Sequence, residues 1–364
     1  MQKRYPLLSR ATSSSPAKHW LLGAVAAFLF LLPEVHAQDK HFTQFYASPL
    51  TLNPALTGAM EGSYRIGLNY RDQWRKVLEN PIKTFSMAAD LRFEANRRKN
   101  TEDAIGFGIM FFNDKVSVID FSTTQVAVSL AYHKALGLDQ DKFLTIGIQG
   151  GLTQRNVNYE SLNFHDEFDL LTGYTGLSEE VLPANNFSFP DLNVGLNYTS
   201  KLSKQGHFFA GASLHHVLQP KVSFYESPTT AKGGKLYPKI NAQLSASIPF
   251  DRSNRTSMQP RLLAAMQGPH MEINAGTNFR FALGQYGGKA LHFGTWARPV
   301  RNDGGFGFDA VVALFGLEIN SMLFGLSYDL NLHALDTNQH QSAFELSISY
   351  LGNHDNEKVL CPKF

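Results

Sequence analysis

Apolar and polar residues alternate with a period of two in many segments of this chain. This period predicts β-strands, because successive side chains of a strand point to opposite faces. In the first such segment, the apolar face carries Tyr64, Ile66, Leu68 and Tyr70. The polar face carries Ser63, Arg65, Gly67, Asn69 and Arg71. The same alternation recurs at 85–93, 126–132, 192–198, 240–248 and 344–350.

The pattern predicts about fourteen strands in all. Their centres lie near residues 67, 88, 108, 128, 148, 195, 211, 243, 262, 276, 295, 310, 325 and 347. An even number is typical of bacterial outer-membrane barrels. The two longest connections, 157–189 and 218–236, follow the fifth and seventh strands, whereas those after even-numbered strands, such as 201–206 and 251–256, are short. The long connections should therefore share one end of the barrel, which we expect to be extracellular.

A soluble β-sandwich also alternates, with its apolar face turned inward. Here many strands have about ten residues, the length that crosses a membrane, and aromatic residues recur near strand ends, as in interfacial girdles. Because a sheet edge cannot be hydrated in lipid, such a sheet must close. The sequence thus predicts an all-β fold, a transmembrane antiparallel β-barrel over residues 63–351. Leu68 and Leu244 should face lipid, and Asn69 and Gln243 should line a polar lumen that tolerates an added charge.

The first 37 residues have the pattern of a secretory signal peptide. A basic start contains Lys3, Arg4, Arg10 and Lys18, an apolar run covers residues 20–32, and small residues precede a cleavage site after Ala37. A transmembrane anchor is the alternative, but the run has about 13 residues and a spanning helix needs about 20. We therefore expect export through a cleaved signal peptide to the cell outer membrane.

Composition narrows the possible functions. The chain has 33 basic and 31 acidic residues, a balance that argues against nucleic acid as a partner. It is rich in Phe and Tyr, with 28 and 13 residues, which suits membrane strands. The single cysteine, Cys361, cannot close an internal disulfide.

No catalytic or metal-binding constellation stands out. Ser213 and His215 lie two apart on one strand face, but no GxSxG motif accompanies them. His215 and His216 are expected on opposite faces of a strand, so they should not bind one metal ion together. No HExxH motif or paired Cys/His spacing is present. We predict that the protein is not an enzyme and needs neither a cofactor nor a metal.

Residues 38–62 do not alternate, although they contain Phe42, Phe45 and Tyr46 together with the turn formers Pro49 and Asn53-Pro54. Apolar residues combined with turn formers indicate a compact ordered segment. We expect it to act as a plug in the lumen or as a docking element under the periplasmic mouth. A loosely attached arm is the alternative.

The sequence from Gln38, QDKHFTQFYASPLTLNPALTGA, followed by YRIGLNYRDQW, resembles the PorP/SprF family of the type IX secretion system in Bacteroidota. The terminal CPKF, residues 361–364, is similar to the usual ending of that family and closes a polar tail of residues 352–364. The matching positions that we take as a hypothetical partner or plug motif are Gln44, Phe45, Tyr46, Pro49, Leu52, Asn53, Pro54, Gly58, Tyr70, Arg71, Gln73 and Trp74. Ala55 also matches.

The resemblance implies an outer-membrane component that supports export, or anchoring at the surface, of proteins with a type IX C-terminal signal, such as gliding adhesins. It also implies partners among the periplasmic ring or peptidoglycan-binding components, besides the secreted cargo and membrane lipid. The alternative is a general porin or small-molecule transporter. That function requires a water-filled lumen, in which Arg65, Asp90, Arg92 and Arg280 would set selectivity.

Overall fold

The computed structural model describes most of the chain from residue 39 to residue 353. The described residues are 39, 41–75, 81–95, 102–117, 120–137, 141–162, 164–169, 173–174, 178, 180–202, 206–224, 234–251, 255–284, 288–302, 305–332 and 342–353. The predicted signal peptide, residues 1–37, and all but the first two residues of the polar tail lie outside them.

Within the described part of the chain, fourteen antiparallel strands close into a barrel. They are β1 Tyr64–Gln73, β2 Ile82–Glu94, β3 Ala104–Val116, β4 Phe121–Leu136, β5 Lys142–Val157, β8 Asn186–Lys201, β9 His207–His215, β10 Lys239–Pro249, β11 Thr256–Gln267, β12 His270–Ala282, β13 Lys289–Asn302, β14 Gly305–Ile319, β15 Met322–Asn331 and β16 Ser342–Gly352. Two short strands, β6 Phe168–Asp169 and β7 Gly173–Tyr174, pair only with each other.

Every predicted strand centre falls inside one of the fourteen barrel strands, so the predicted fold class is confirmed. Each strand pairs with its neighbour in sequence, and β5 pairs with β8 across the long connection. The barrel closes between β1 and β16, where Leu68 lies opposite Ile348. No helix in the described residues is long and apolar enough to span a membrane.

The two faces of the strands are those that the alternation predicts. Ile146 is 61% exposed and Leu244 45% exposed on the outer surface, because no protein layer covers the outside of the barrel. Asn69, Ser129 and Asn197 are buried on the inner surface. An exposed apolar belt around a buried polar wall is the arrangement that a lipid environment requires.

The barrel has two distinct ends. Tyr64 and Gly352 pair at one end, which also holds the short turn at Asn320–Ser321 and which we call the near mouth. The opposite end, the far mouth, holds the long connections 158–185 and 216–238. This confirms the predicted grouping of the long connections at one end.

Residues 41–62, which we call the lumenal segment, run through the interior of the barrel. Asp39, just before the segment, contacts His216 and Gln267 at the far mouth. Ser63, just after it, donates its backbone N–H to Gly352 at the near mouth. Between them the chain forms a 3-10 turn, Phe45–Ala47, a short helix α1, Pro49–Leu52, and a second 3-10 turn, Pro54–Leu56.

Candidate functional site

The local structure of the lumenal segment follows from its turn formers. Pro49 occupies the first turn of α1, where its missing N–H leaves no bond unmade. The side chain of Asn53 accepts the N–H of Ala55 at 2.9 Å and so begins the second 3-10 turn. Gly58 has a φ of 73°, a backbone conformation that favours glycine. These turns fold the segment back and forth, so that it reaches several sides of the wall.

A carboxylate on the wall holds the beginning of the segment. Glu345 accepts the backbone N–H groups of Thr43 and Gln44, each at 2.8 Å. The Gln44 amide donates to the Glu345 carbonyl at 3.1 Å, and its oxygen accepts from Ser347 at 2.7 Å. Gln44 and Glu345 are fully buried, so these bonds are formed away from water, where an unmade bond would be costly.

The same place contains a network of buried charges. Arg71 binds Glu345 and Asp329, each at 3.0 Å. Arg298 binds Asp329 at 2.9 Å, and the Thr43 hydroxyl donates to Asp329 at 2.8 Å. Removal of one partner from such a network leaves an uncompensated buried charge, which typically costs about 3–5 kcal/mol. The network therefore ties the segment to four strands at once.

The carbonyl groups in the middle of the segment also have donors on the wall. Leu52 accepts from Ser213 at 2.8 Å and from Asn241 at 2.9 Å, and Leu50 accepts from Gln149 at 3.1 Å. In the other direction, the Asn53 amide donates to wall carbonyls at 3.1 and 3.3 Å. Satisfied buried polar groups fix a unique arrangement, so the segment has a defined register against the strands.

A second ion pair holds the end of the segment. Arg65 and Asp90 form a two-point contact at 2.9 and 2.8 Å. Asp90 also accepts the N–H of Gly58 at 2.7 Å, and Arg65 donates to the Leu56 carbonyl at 3.1 Å. His133 contacts the Thr57 carbonyl at 2.8 Å. The segment is thus anchored by charged side chains at both of its ends.

Apolar contacts fill the space between these anchors. Phe45 meets Trp296 edge to face with ring centroids 5.4 Å apart, and Tyr46 stacks on the same ring at 6.1 Å. The buried cluster comprises Phe45, Leu52, Leu56, Ala59, Leu263, Trp296 and Val312. Part of the inner wall is therefore apolar, in contrast to a water-filled channel.

Glycines on the inner wall allow the backbone of the lumenal segment to lie close to the strands. A Cβ atom at Gly106 would lie 2.1 Å from the Thr57 carbonyl oxygen, and one at Gly147 would lie 2.3 Å from the Ala55 nitrogen. At Gly195 it would lie 1.9 Å from the Asn53 side-chain oxygen. At each of these three positions, an approach this close requires a residue without a side chain.

The structure brings most of the predicted motif together, but not all of it. The eight motif residues from Gln44 to Gly58 lie inside the lumen, and Arg71 reaches them from the wall. Gln73 lies beside Arg71. Tyr70 belongs to the outward face of β1, and Trp74, 37% exposed, follows that strand with a φ of 62°. Neither takes part in the buried interface.

The expectation that Asn69 and Gln243 would tolerate an added charge does not suit this interior. Asn69 is 2% exposed and donates to the Ala47 carbonyl at 3.3 Å, and Gln243 is 4% exposed. The alternation predicts correctly that both face inward, but a filled lumen leaves no room for an arginine there. Sequence reasoning also missed Glu345, Asp329, Arg298 and Trp296, whose only signal was their inward position on a strand.

At the far mouth, His216 joins the lumen wall. It follows β9 with a φ of 57°, and this turn brings its ring in beside His215, so the expectation of opposite faces is wrong. Its nitrogens contact Asp191 at 3.0 Å and Asp39. Burial alone would lower the pKa of His216, but the two carboxylates outweigh it and raise the pKa to about 9. At neutral pH the imidazolium therefore holds residue 39 at the wall by charge as well as by hydrogen bonds.

Among the described residues, no group of three or more His, Cys, Asp or Glu side chains could hold a metal ion. Several charged side chains of the inner wall instead form ion pairs or bind the backbone of the lumenal segment. What the arrangement does chemically is bind and fix a peptide segment inside a barrel.

Comparison with known proteins identifies the family of the chain. The sequence model of the family described as type IX secretion system membrane protein PorP/SprF matches residues 34–350. No curated protein matches the chain.

Solved structures with a similar shape include two toluene transporters and a FadL homologue. The Pseudomonas putida toluene transporter TodX has a TM-score of 0.45 and 12% identity, over 87% of this chain and 98% of that chain. The Ralstonia pickettii toluene transporter TbuX has a TM-score of 0.47 and 8% identity, over 84% and 94%. A Pseudomonas aeruginosa FadL homologue has a TM-score of 0.46 and 10% identity, over 82% and 92%. Likenesses of this size add nothing to the barrel described above. The family match, in contrast, covers most of the chain, including the lumenal segment and nearly all of the barrel. This chain therefore belongs to the PorP/SprF family of type IX secretion system membrane proteins.

Proposed function

We propose that this protein is an outer-membrane component of the type IX secretion system that supports export, or anchoring at the cell surface, of proteins with a type IX C-terminal signal. The family match over residues 34–350 is the observation that carries the proposal. Gliding adhesins are the cargo that the sequence resemblance suggests. Export of the protein itself would proceed through a signal peptide cleaved after Ala37.

The filled lumen favours this function over a general porin. A diffusion channel needs a continuous water path, whereas here Leu50, Leu56 and Gln44 of the lumenal segment are fully buried against the wall. The residues that would set the selectivity of a porin are engaged as well. Arg65 is paired with Asp90, and Arg280 is paired with Glu318 at 2.7 Å. A barrel filled in this way is better suited to bind and hold proteins than to pass solutes.

The periplasmic ring and peptidoglycan-binding components of the secretion system are the proposed partners on one side, and secreted cargo on the other. A rigid barrel in the outer membrane offers both of them a fixed surface. If the long connections face outward, the far mouth would meet cargo and the near mouth would face the periplasmic components.

Deletion of the gene in its native host tests the proposal. We expect proteins with a type IX C-terminal signal to disappear from the cell surface and to accumulate inside the cell, with recovery when the intact gene is returned. Surface proteomics of intact cells measures this, and uptake of small hydrophilic solutes measures the porin alternative. Normal surface display together with slower solute uptake would overturn the proposal and favour the porin.

A further inference from the structure

Most arginines of the lumen wall have a carboxylate partner. Arg65, Arg71, Arg280 and Arg298 each form an ion pair at 3.0 Å or less. Arg155, which points inward from β5, forms no ion pair with any described residue, and its buried Nε–H has no acceptor. A buried donor without an acceptor is costly, so an acceptor supplied from outside the chain would be stabilising here.

Arg155 lies in a cavity of about 240 Å³ at the far mouth. Its guanidinium lies over the ring of Phe189 at 5.7 Å from the centroid, a contact that orients the group and leaves its N–H edge free to donate. Lys239 lines the same cavity from β10 and likewise has no ion-pair partner among the described residues. Two positively charged groups on different strands therefore share one cavity.

The two carboxylates of the cavity contact its histidine, and Asp39 also attracts Arg155 and Lys239 without a direct ion pair. Asp39 and Asp191 both bind His216. Asp191 also accepts from Gln125 at 3.3 Å and from the backbone N–H of Leu192 at 3.0 Å. The His216 imidazolium balances part of these two negative charges. Because Arg155 and Lys239 add further positive charge, the cavity has an excess of positive charge.

The rest of the lining combines apolar and polar side chains. The apolar residues are Met110, Phe112, Phe121, Phe189 and Leu236, and the neutral polar residues include Thr51, Thr123, Gln125, Gln149, Thr153 and Asn193. Apolar and aromatic side chains beside convergent polar groups are the usual character of a site for a small organic ligand. The lining thus suits a molecule with one charged end and one apolar end.

We propose that the cavity at the far mouth binds a carboxylate carried on an apolar body, with Arg155 and Lys239 as its charged contacts. Arg155 offers paired N–H groups that match the two oxygens of a carboxylate, and the aromatic rings receive the apolar part. The carboxylate can come from a free organic acid or from an acidic side chain of a peptide. The inference does not depend on the proposed secretion function.

Calorimetric titration of the intact barrel in detergent tests the proposal, with benzoate as the probe. We expect benzoate to bind and benzamide, of nearly the same shape without the charge, to bind about tenfold or more weakly, the loss expected for a charge-assisted contact. A blocked Phe-Glu-Phe tripeptide is compared with blocked Phe-Gln-Phe. This comparison distinguishes an acidic side chain of a peptide from a free organic acid as the source of the carboxylate. Binding of the tripeptide would indicate a peptide ligand, and its failure beside bound benzoate would indicate a small organic acid.

Arg155→Gln and Lys239→Gln should each weaken benzoate binding by about tenfold. Arg261→Gln is the matched control, because Arg261 also has a buried N–H without an acceptor and also lies over an aromatic ring, that of Tyr46 at 4.0 Å, but lines the other large cavity. Equal binding of benzoate and benzamide to the unaltered protein would overturn the proposal even if the variants did not fold. Undiminished binding to Arg155→Gln would overturn it as well.

Discussion

Single residues on the inner wall decide how closely the lumenal segment can approach. Glycine is needed at positions 106, 147 and 195 because backbone atoms or the Asn53 side chain occupy the space of a Cβ. The sequence shows these glycines as inward positions of alternating strands, a pattern that small lumen-lining residues share. Only the folded segment explains why no larger residue fits there.

The substitution Gly147→Val tests this close approach. Its Cβ would lie 2.3 Å from the Ala55 nitrogen and 2.4 Å from the Pro54 carbonyl carbon. We expect a loss of about 1–3 kcal/mol, the usual cost of overpacking, measured as a lower temperature of conversion from the folded to the unfolded band in SDS gels.

Gly150→Val is the matched control on the same strand. Gly150 is exposed on the outer face, and its Cβ would meet nothing within 4 Å, so this variant should keep the conversion temperature of the unaltered protein. Equal shifts in both variants would mean that valine harms β5 itself and not the contact with the segment.

At the scale of elements, the strands could be predicted and the contacts of the lumenal segment could not. Period-two alternation is a local signal, so all fourteen strand centres and both faces follow from the sequence. The contacts of Thr43 with Glu345 join residues 302 positions apart, and no local pattern contains them. The turn formers Pro49 and Asn53-Pro54 predict an ordered segment. Its partners on the wall cannot be predicted in this way, because they come together only when the barrel closes.

Deletion of residues 40–58 tests the role of the segment as an element. The barrel should still insert, because the strand ladder from β1 to β16 is intact without it. Passive conductance in a planar bilayer should rise, because water replaces the buried apolar cluster and the segment backbone. Heat-modifiable mobility in SDS gels would show that the truncated barrel is folded. A conductance equal to that of the intact protein, from a barrel shown to be folded, would contradict the role of a plug.

At the scale of the whole molecule, the two mouths differ in what they present. The far mouth carries the two long connections, residue 39 and the cavity around Arg155. The near mouth carries the start of β1 and the end of β16, with shorter connections between the strands. Barrels of bacterial outer membranes have long loops outside and short turns in the periplasm. The lumenal segment therefore begins at the mouth that we assign to the cell surface and ends at the mouth that we assign to the periplasm.

Single-cysteine labelling tests this orientation in cells that make the protein with Cys361→Ser. Val181, in a long connection, is 95% exposed, and Ser321 is exposed in the turn between β14 and β15. A membrane-impermeant maleimide should label Val181→Cys in intact cells, because long loops of such barrels face the medium. It should label Ser321→Cys only after the outer membrane is permeabilised, because that turn would face the periplasm. Labelling of Ser321→Cys alone in intact cells would indicate the opposite orientation of the barrel. The proposed positions of cargo and periplasmic partners would then be exchanged.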